Sequence, residues 1–454
     1  MAAAVNEVDL DALVNLDDFE RAARAVMDAQ DYDYFAGGAE SETTMRANAA
    51  AFADVTLWPR CLVDVSDVDT SASFPELGLP HLAAPLIAAP VAMQKMAHPG
   101  GEPAAARACA ARAVGYCASQ QATTRVETVA EALRRDEGGG GSSGRSSNGR
   151  SRPPMWFQLY VFEDRARTVD LIRRAEKAGA AALAVTVDAP VLGRRERDVR
   201  NKFAMRAGMR LANVQAEASR AEKKADGHAE SRKQTRATGG GVKSVRGDFA
   251  ADEAARRRFG GSSARAARKN IARRVGGRDA SLTWSFLGWI KTVTDLPIIL
   301  KGVTRRDDAV RAVRAGVDAL WVSNHGGRQL DGAPATLDAL PEVVAGVRAF
   351  ENEGTVFTKK RTPVVFDGGV RRGADVLKAL ALGADLVAFG RPLVWGLACG
   401  GEEGVDRVIG ALHEELKIAM ALCGVARLDA ASLADVARTR GDPPPGRRLV
   451  TSRL

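Results

Sequence analysis

Eight short apolar runs punctuate the chain: PLIAAPVA (85–92), VGYCAS (114–119), MWFQLY (155–160), ALAVTVDAP (182–190), PIILKGV (297–303), ALWVSNH (319–325), PVVFDGG (363–369) and LVAFGRP (386–392). They are rich in valine, isoleucine, leucine and aromatic residues and are bounded by Gly, Pro, Asp or Asn, as strands buried on both faces are. Between them, stretches such as RTVDLIRRAEKAGA (167–180), RRDDAVRAVRAGV (305–317) and RRGADVLKALALGA (371–384) carry apolar residues at helical spacing and finish near a glycine suited to a helix C-cap. Continuous apolar strands alternating with helices predict a parallel sheet, and eight such units predict an α/β (β/α)8 TIM barrel.

In such barrels the reacting groups collect at the C-terminal ends of the strands. Those ends carry Pro90-Val91-Ala92, Ser119, Gln158 and Tyr160, Thr186 and Asp188, Lys301, Ser323 and His325, Asp367 with Gly368-Gly369, and Gly390-Arg391. A single Ser or Thr there is more often a capped strand end; polar groups or glycines at all eight ends predict one polar mouth. The sixth run continues into SNHGGRQLDG (323–332), where two glycines permit a sharp turn between a titratable imidazole, His325, and a permanent cation, Arg328. DGGVRRG (367–373) and FGRP (389–392) place glycines beside Arg371 and Arg391 after strands seven and eight. Freed backbone N–H groups next to guanidinium donors make an anion cradle, and barrels of this fold bind phosphate at that point.

Composition adds limits. The 454 residues, 46% hydrophobic and 27% charged, are ordinary for a globular protein and sufficient for one large barrel with insertions. We expect a single domain over 1–454, interrupted by a low-complexity insertion (138–154, GGGGSSGRSSNGRSRPP) and a basic, flexible loop (204–280). The net charge of +9 is local, because residues 201–280 hold 20 Lys/Arg against 8 Asp/Glu and the remainder is net acidic. With only Phe203, Phe249 and Phe259 among those cations, stacking on bases has few partners, and no nucleic-acid role is expected. Five scattered cysteines without CxxC spacing indicate neither disulfides nor a metal site. The N-terminus lacks the features of a secretory signal and no apolar stretch is long enough to span a bilayer, so an intracellular protein is expected. Ser452-Arg453-Leu454 is a conservative variant of the Ser-Lys-Leu address, which predicts recognition by the peroxisomal import receptor and a peroxisomal location.

The chain resembles the FMN-dependent α-hydroxy-acid oxidases of the glycolate oxidase type. The resemblance runs through YDYFAGGAE (32–40), NAAAF (48–52), APVAMQKMAHP (89–99), FQLY (157–160), TVDAPVLGRRERDVRNKF (186–203), LKGV (300–303), SNHGGRQLDGAPAT (323–336), DGGVRRGADVLKALALGA (367–384) and FGRP (389–392), of which SNHGGRQLD and LGRRE are the most specific. It implies oxidation of an (S)-2-hydroxy acid, glycolate or lactate-like, to the 2-oxo acid with O2 as acceptor and H2O2 as product, in a photorespiratory setting and as a homo-tetramer. Asp367, Gly368, Gly369, Arg371, Gly390 and Arg391 would then surround the FMN phosphate, with Ser323 close by. Ser119, Gln158 and Thr186 would hydrogen-bond the isoalloxazine, the backbone of Pro90, Val91 and Ala92 would lie at its reactive edge, and Lys301 would stabilise the negative charge of the reduced ring. Arg195 and Arg328 would hold the substrate carboxylate, Tyr34 and Tyr160 would hydrogen-bond the substrate, and His325 would be the general base. Whether the α-hydrogen leaves as hydride or by way of a carbanion stays open, and Asp188 and Asp331 are both candidates to orient His325 or balance the arginines.

Two departures stand out. Plant members carry Trp where Gln121 stands and Thr where Val91 stands, so the expected substrate wall is smaller and more polar here. HPGG (98–101) resembles a haem-binding motif but lies in a helix-entry segment, with too little chain before Tyr34 for a haem domain. The long 204–280 segment occupies the region where membrane-bound relatives carry a docking segment, so a dehydrogenase passing electrons to another acceptor at a membrane is the alternative. A binding barrel that keeps FMN only structurally is disfavoured by the intact His325, Arg328, Arg195 and Tyr160 set.

Overall fold

The computed structural model describes residues 8–134, 154–214, 277–352 and 361–440. All eight expected runs form strands: β1 (Leu86–Ala88), β2 (Gly115–Ser119), β3 (Met155–Leu159), β4 (Ala182–Thr186), β5 (Ile298–Val303), β6 (Ala319–Val322), β7 (Val364–Asp367) and β8 (Leu386–Phe389). They follow one another in chain order around a closed barrel, each parallel to its neighbours, with β8 pairing back onto β1. Around them run α1 (Gly101–Ala111), α2 (Val126–Arg134), α3 (Arg165–Ala178), α4 (Phe286–Val293), α5 (Arg306–Arg314), α6 (Thr336–Asn352), α7 (Gly373–Ala381) and α8 (Arg391–Leu422). The (β/α)8 TIM barrel expected from the alternation is therefore the fold.

Side-chain alternation explains both the apolar runs and the polar mouth. One set of strand residues, including Ile87, Cys117, Trp156, Ile299, Trp321 and Val365, packs with Leu77, Leu79 and Leu82 into a single buried cluster. The three leucines belong to the hairpin Ala72–Phe74/Leu79–Leu82 and the turn within it, which closes the N-terminal end of the barrel; Trp156 Nε1 donates to the Leu77 carbonyl at 2.8 Å. The other set, such as Tyr116, Phe157, Leu183, Leu320 and Phe366, joins the larger core shared with the surrounding helices. Because side chains alternate along a strand, two residues beyond an interior position faces the interior again. That step leads from Cys117 to Ser119, from Trp156 to Gln158, from Ala184 to Thr186, from Ile299 to Lys301, from Trp321 to Ser323, from Val365 to Asp367 and from Ala388 to Gly390.

Several runs outlast their strands at this end. β4 stops at Thr186 although the run reads to Pro190, and β6 stops at Val322, before His325 to Gly327 make a short 3-10 turn. The HPGG segment leads into α1. The described ends of the expected 204–280 loop, 204–214 and 277–280, are packed against the barrel: Asn213 is buried and its Oδ1 accepts the Val126 N–H at 2.9 Å. Phe203, counted above among the aromatics of that basic stretch, is a core residue stacked 4.6 Å from Tyr34. The rest of that loop, residues 138–153 of the low-complexity insertion and Ser452-Arg453-Leu454 lie outside the described residues. Among the described residues no helix is long and apolar enough to cross a membrane.

Candidate active site

The C-terminal mouth of the barrel holds a cleft of about 1060 Å³, its open entrance included. It is lined by nearly all the expected residues: Tyr34, Pro90 to Ala92, Ser119, Gln158, Tyr160, Thr186, Arg195, Lys301, His325, Arg328, Asp367 to Gly369, Arg371, Gly390 and Arg391. Ser323 stands just beneath as a fully buried hydroxyl linking three of them.

At its centre His325 Nδ1 lies 2.8 Å from Asp188 Oδ1, and Nε2 faces the Tyr160 hydroxyl at 3.3 Å. Burial lowers the imidazole pKa below its ordinary 6.5, outweighing the opposite pull of Asp188. For Asp188 burial alone would raise the carboxyl, but His325, Lys301 and Arg278 hold it below the usual carboxylate range. A carboxylate can only accept, so His325 carries its proton on Nδ1 and keeps the Nε2 lone pair toward the cleft. Asp331, the other carboxylate considered, sits elsewhere: its Oδ1 accepts the Thr44 N–H at 2.8 Å and anchors the N-terminal helix Thr43–Ala50.

Lys301 is buried and gives one N–H to Ser323 Oγ at 2.6 Å and another to Asp367 Oδ2 at 2.9 Å, while Ser323 donates to Asp367 Oδ1 at 2.7 Å. Burial would lower the ammonium pKa, yet Asp367 and Asp188 raise it above its ordinary value, so the side chain is a fixed cation. On the neighbouring wall Gln158 accepts from Ser119 Oγ at 3.4 Å and donates to Thr186 Oγ1 at 3.1 Å, a string of polar groups along the mouth of β2, β3 and β4.

Two cationic patches flank this centre. Arg328 donates to the carbonyls of Tyr34 at 2.6 Å and Gly37 at 2.8 Å, beside Arg195, whose Nε reaches the Arg328 carbonyl at 3.4 Å. Burial and the neighbouring Arg195 push Arg328 down to about 10. Arg391 opens α8 and bonds the carbonyls of Phe35, Gly326 and Gly37, each at 3.0 Å. Burial, with Arg328 and Arg371 close by, pushes it down to about 9. Both are partly buried cations surrounded by carbonyl dipoles, and both favour a bound anion. The N-terminus of α8 at Gly390 has no side-chain cap, and a Cβ on Gly390 would meet nothing closer than 3.8 Å, leaving its backbone open to a ligand.

Three residues of this region carried no signal in the sequence. Arg278, swept into the expected loop, lines the cleft with its guanidinium 4.0 Å from the Tyr160 ring centroid. Asp198 is buried near Arg195 and Arg328 and partly offsets their charge. Gln120 accepts the Tyr160 N–H at 2.6 Å.

Compared with known proteins, residues 23–438 match the model of the family described as FMN-dependent dehydrogenase. Human 2-hydroxyacid oxidase 1 is 40% identical over 91% of this chain and 94% of its own. L-lactate oxidase of Nostoc sp. is 41% identical over 91% and 95%, and the Arabidopsis thaliana peroxisomal (S)-2-hydroxyacid oxidase GLO4 is 40% identical over 92% and 95%. Among solved structures, mandelate oxidase with (S)-4-hydroxymandelic acid superposes with a TM-score of 0.70 at 35% identity, covering 94% of this chain and 99% of that one. A barrel whose mouth gathers a base, two guanidinium patches and a glycine-rich anion cradle, matched over almost its whole length at such identity, belongs to the FMN-dependent dehydrogenase family, and with FMN as its cofactor it stands among that family's 2-hydroxyacid oxidases.

Proposed function

We propose that the protein oxidises an (S)-2-hydroxy acid, of which glycolate and lactate are the smallest, to the 2-oxo acid and passes the electrons to dioxygen. The convergence in one cleft of the partly buried His325–Asp188 pair with Arg195 and Arg328 carries this reading. FMN, when bound, supplies the two-electron acceptor for the α-carbon and its hydrogen, and dioxygen then takes two electrons and two protons to leave as hydrogen peroxide.

The residues present fit that cofactor. Arg391 and Arg371, with the open backbone at Gly390 and with Asp367, Gly368 and Gly369 alongside, would take its phosphate. Ser119, Gln158 and Thr186 would hydrogen-bond the ring, Pro90, Val91 and Ala92 would back it, and Lys301, held by Ser323 and Asp367, would place positive charge beside it. Arg195 and Arg328 hold the substrate carboxylate in a guanidinium fork, and Tyr34 and Tyr160 fix its orientation by hydrogen bonds. His325 Nε2 removes the proton, and Asp188 stabilises the imidazolium that results.

Anaerobic mixing of the yellow holoenzyme with glycolate, lactate or mandelate, then with air-saturated buffer, tests the proposal. Bleaching followed by rapid return of colour with peroxide is expected; slow return in oxygen would assign another electron acceptor, and no bleaching would sink the reading. The C-terminal Ser-Arg-Leu and the likeness to GLO4 support a peroxisomal location, and sedimentation velocity checks the tetramer that the resemblance implies.

A further inference from the structure

Arg278 brings to the cleft a charge that the reaction as proposed does not use. It precedes α4, is only 8% exposed, and lies in the wall between the active cleft and a second cavity behind Tyr160, lining both. Among the described residues its buried Nη1 has no hydrogen-bond partner. The adjacent Asp279 is turned away and pairs with Arg165 at 2.5 Å, and Asp188, whose charge reaches Arg278, gives its Oδ1 to His325 and no hydrogen bond to Arg278. Every other cation of the mouth has a counterpart: Lys301 has Asp367, Arg195 and Arg328 share Asp198 and a substrate carboxylate, and Arg371 and Arg391 face the phosphate cradle. A buried guanidinium with an N–H that meets no acceptor is costly to keep, and its planar fork suits a carboxylate.

We infer that Arg278 receives a second anionic group on the substrate, so that the 2-hydroxy acid this protein takes is a short-chain dicarboxylic acid. The inference rests on the oxidase reading above. Tyr160 links the two groups: its hydroxyl faces His325 Nε2 at 3.3 Å, and the Arg278 guanidinium lies over its ring, 4.0 Å from the centroid, so a second carboxylate on Arg278 would lie close to the reacting carbon, as in a short diacid. The Gln121 side chain lines the same cleft and adds an amide to that polar wall. The apolar part of the second cavity, with Leu282, Trp284, Phe286 and Leu287, offers the competing occupant, an alkyl chain.

The test compares kcat/KM of the holoenzyme for (S)-lactate, (S)-malate, (S)-2-hydroxyglutarate and (S)-2-hydroxyoctanoate, and repeats it with R278L and R278K. A diacid is expected to exceed lactate at least tenfold, and R278L should lower the diacid-to-lactate ratio roughly 10–100-fold, as loss of a charged hydrogen bond does, with R278K restoring part of it. Independently of turnover, succinate should perturb the wild-type flavin spectrum at lower concentration than propanoate, which keeps the idea testable even where a variant folds poorly. Three results overturn it: diacids no better than lactate, equal loss for lactate and diacid in R278L, which would make Arg278 a positioning residue for Tyr160, or a preference for 2-hydroxyoctanoate. Turnover of lactate alone would leave the oxidase reading standing while removing this one; no turnover of any acid would remove both.

Discussion

Asp188 holds His325 by its Nδ1 at 2.8 Å while the backbone of His325 sits at φ +61°, a left-handed conformation that side-chain-bearing residues seldom adopt. Such a conformation costs roughly 1–2 kcal/mol per residue and persists only where surrounding structure enforces it. Here Ser323 Oγ accepts the His325 N–H at 3.1 Å, and the two following glycines share the positive φ. At Gly327 a Cβ would lie 2.6 Å from the backbone of Met45, so no other residue fits that turn. The imidazole is thereby aimed into the cleft by backbone and carboxylate together.

This pairing sets the pH dependence. As the proposed base His325 must be neutral, and burial keeps its pKa below 6.5 despite Asp188, so kcat/KM should fall as pH drops through a value below 6.5 and stay level above it. D188N removes the neighbour that raises that pKa, so the acid limb should move further down while kcat drops because the ring loses its fixed tautomer. H325A should retain the bound-flavin spectrum and lose about 10²–10⁴ in turnover. Steady-state pH profiles check all three, and a wild-type acid limb above 6.5 would contradict the assignment.

Arg328→Lys should raise KM and lower kcat/KM by about 10²-fold, because a point charge cannot reproduce a fork whose Nη1 already serves the Tyr34 and Gly37 carbonyls. Kinetics matching the wild type would place the substrate carboxylate elsewhere.

The Lys301–Asp367 pair makes a prediction about stability. Both side chains are largely buried, so K301M leaves the Asp367 carboxylate with Ser323 but without its cation. Breaking a buried pair from one side costs about 3–5 kcal/mol, and urea unfolding of the apoprotein should show a loss of that order, reduced when D367L accompanies K301M. A single-variant loss below about 1 kcal/mol would mean that solvent screens the pair.

The barrel and most of the mouth were legible because both depend on local pattern. A strand buried on two faces must be apolar throughout, and a polar residue two steps past an interior position can only face the cleft, as Gln158 and Lys301 do. What the runs concealed was where each strand stops, since Val187, Ala189 and Pro190 are as apolar as β4 itself. Arg278 was hidden for a different reason. Its value comes from a neighbour more than a hundred residues away, Tyr160, and in sequence it is one more arginine at the end of a basic stretch. The roles of Asp188 and Asp331 likewise separate only through long-range contacts, one with His325 and the other with the Thr44 backbone.

A glycine packs tightly against Asp188. Gly302 sits in the irregular register between β5 and β6 at φ +109°, and a Cβ there would lie 2.6 Å from Asp188 Cβ and 2.8 Å from its Cγ. G302A therefore meets two penalties, an unfavourable backbone conformation and a clash that only a shift of Asp188 relieves, together about 2–4 kcal/mol. Loss of stability alone would lower the yield of folded enzyme and leave the pH profile of the remainder unchanged. Displacement of Asp188 should instead reproduce the D188N phenotype in folded, flavin-loaded G302A, with lower kcat and an acid limb moved to lower pH. Thermal melts and pH profiles on the same preparation separate the two, and a G302A enzyme with wild-type profile would show that Asp188 holds its place on His325 without help from the glycine.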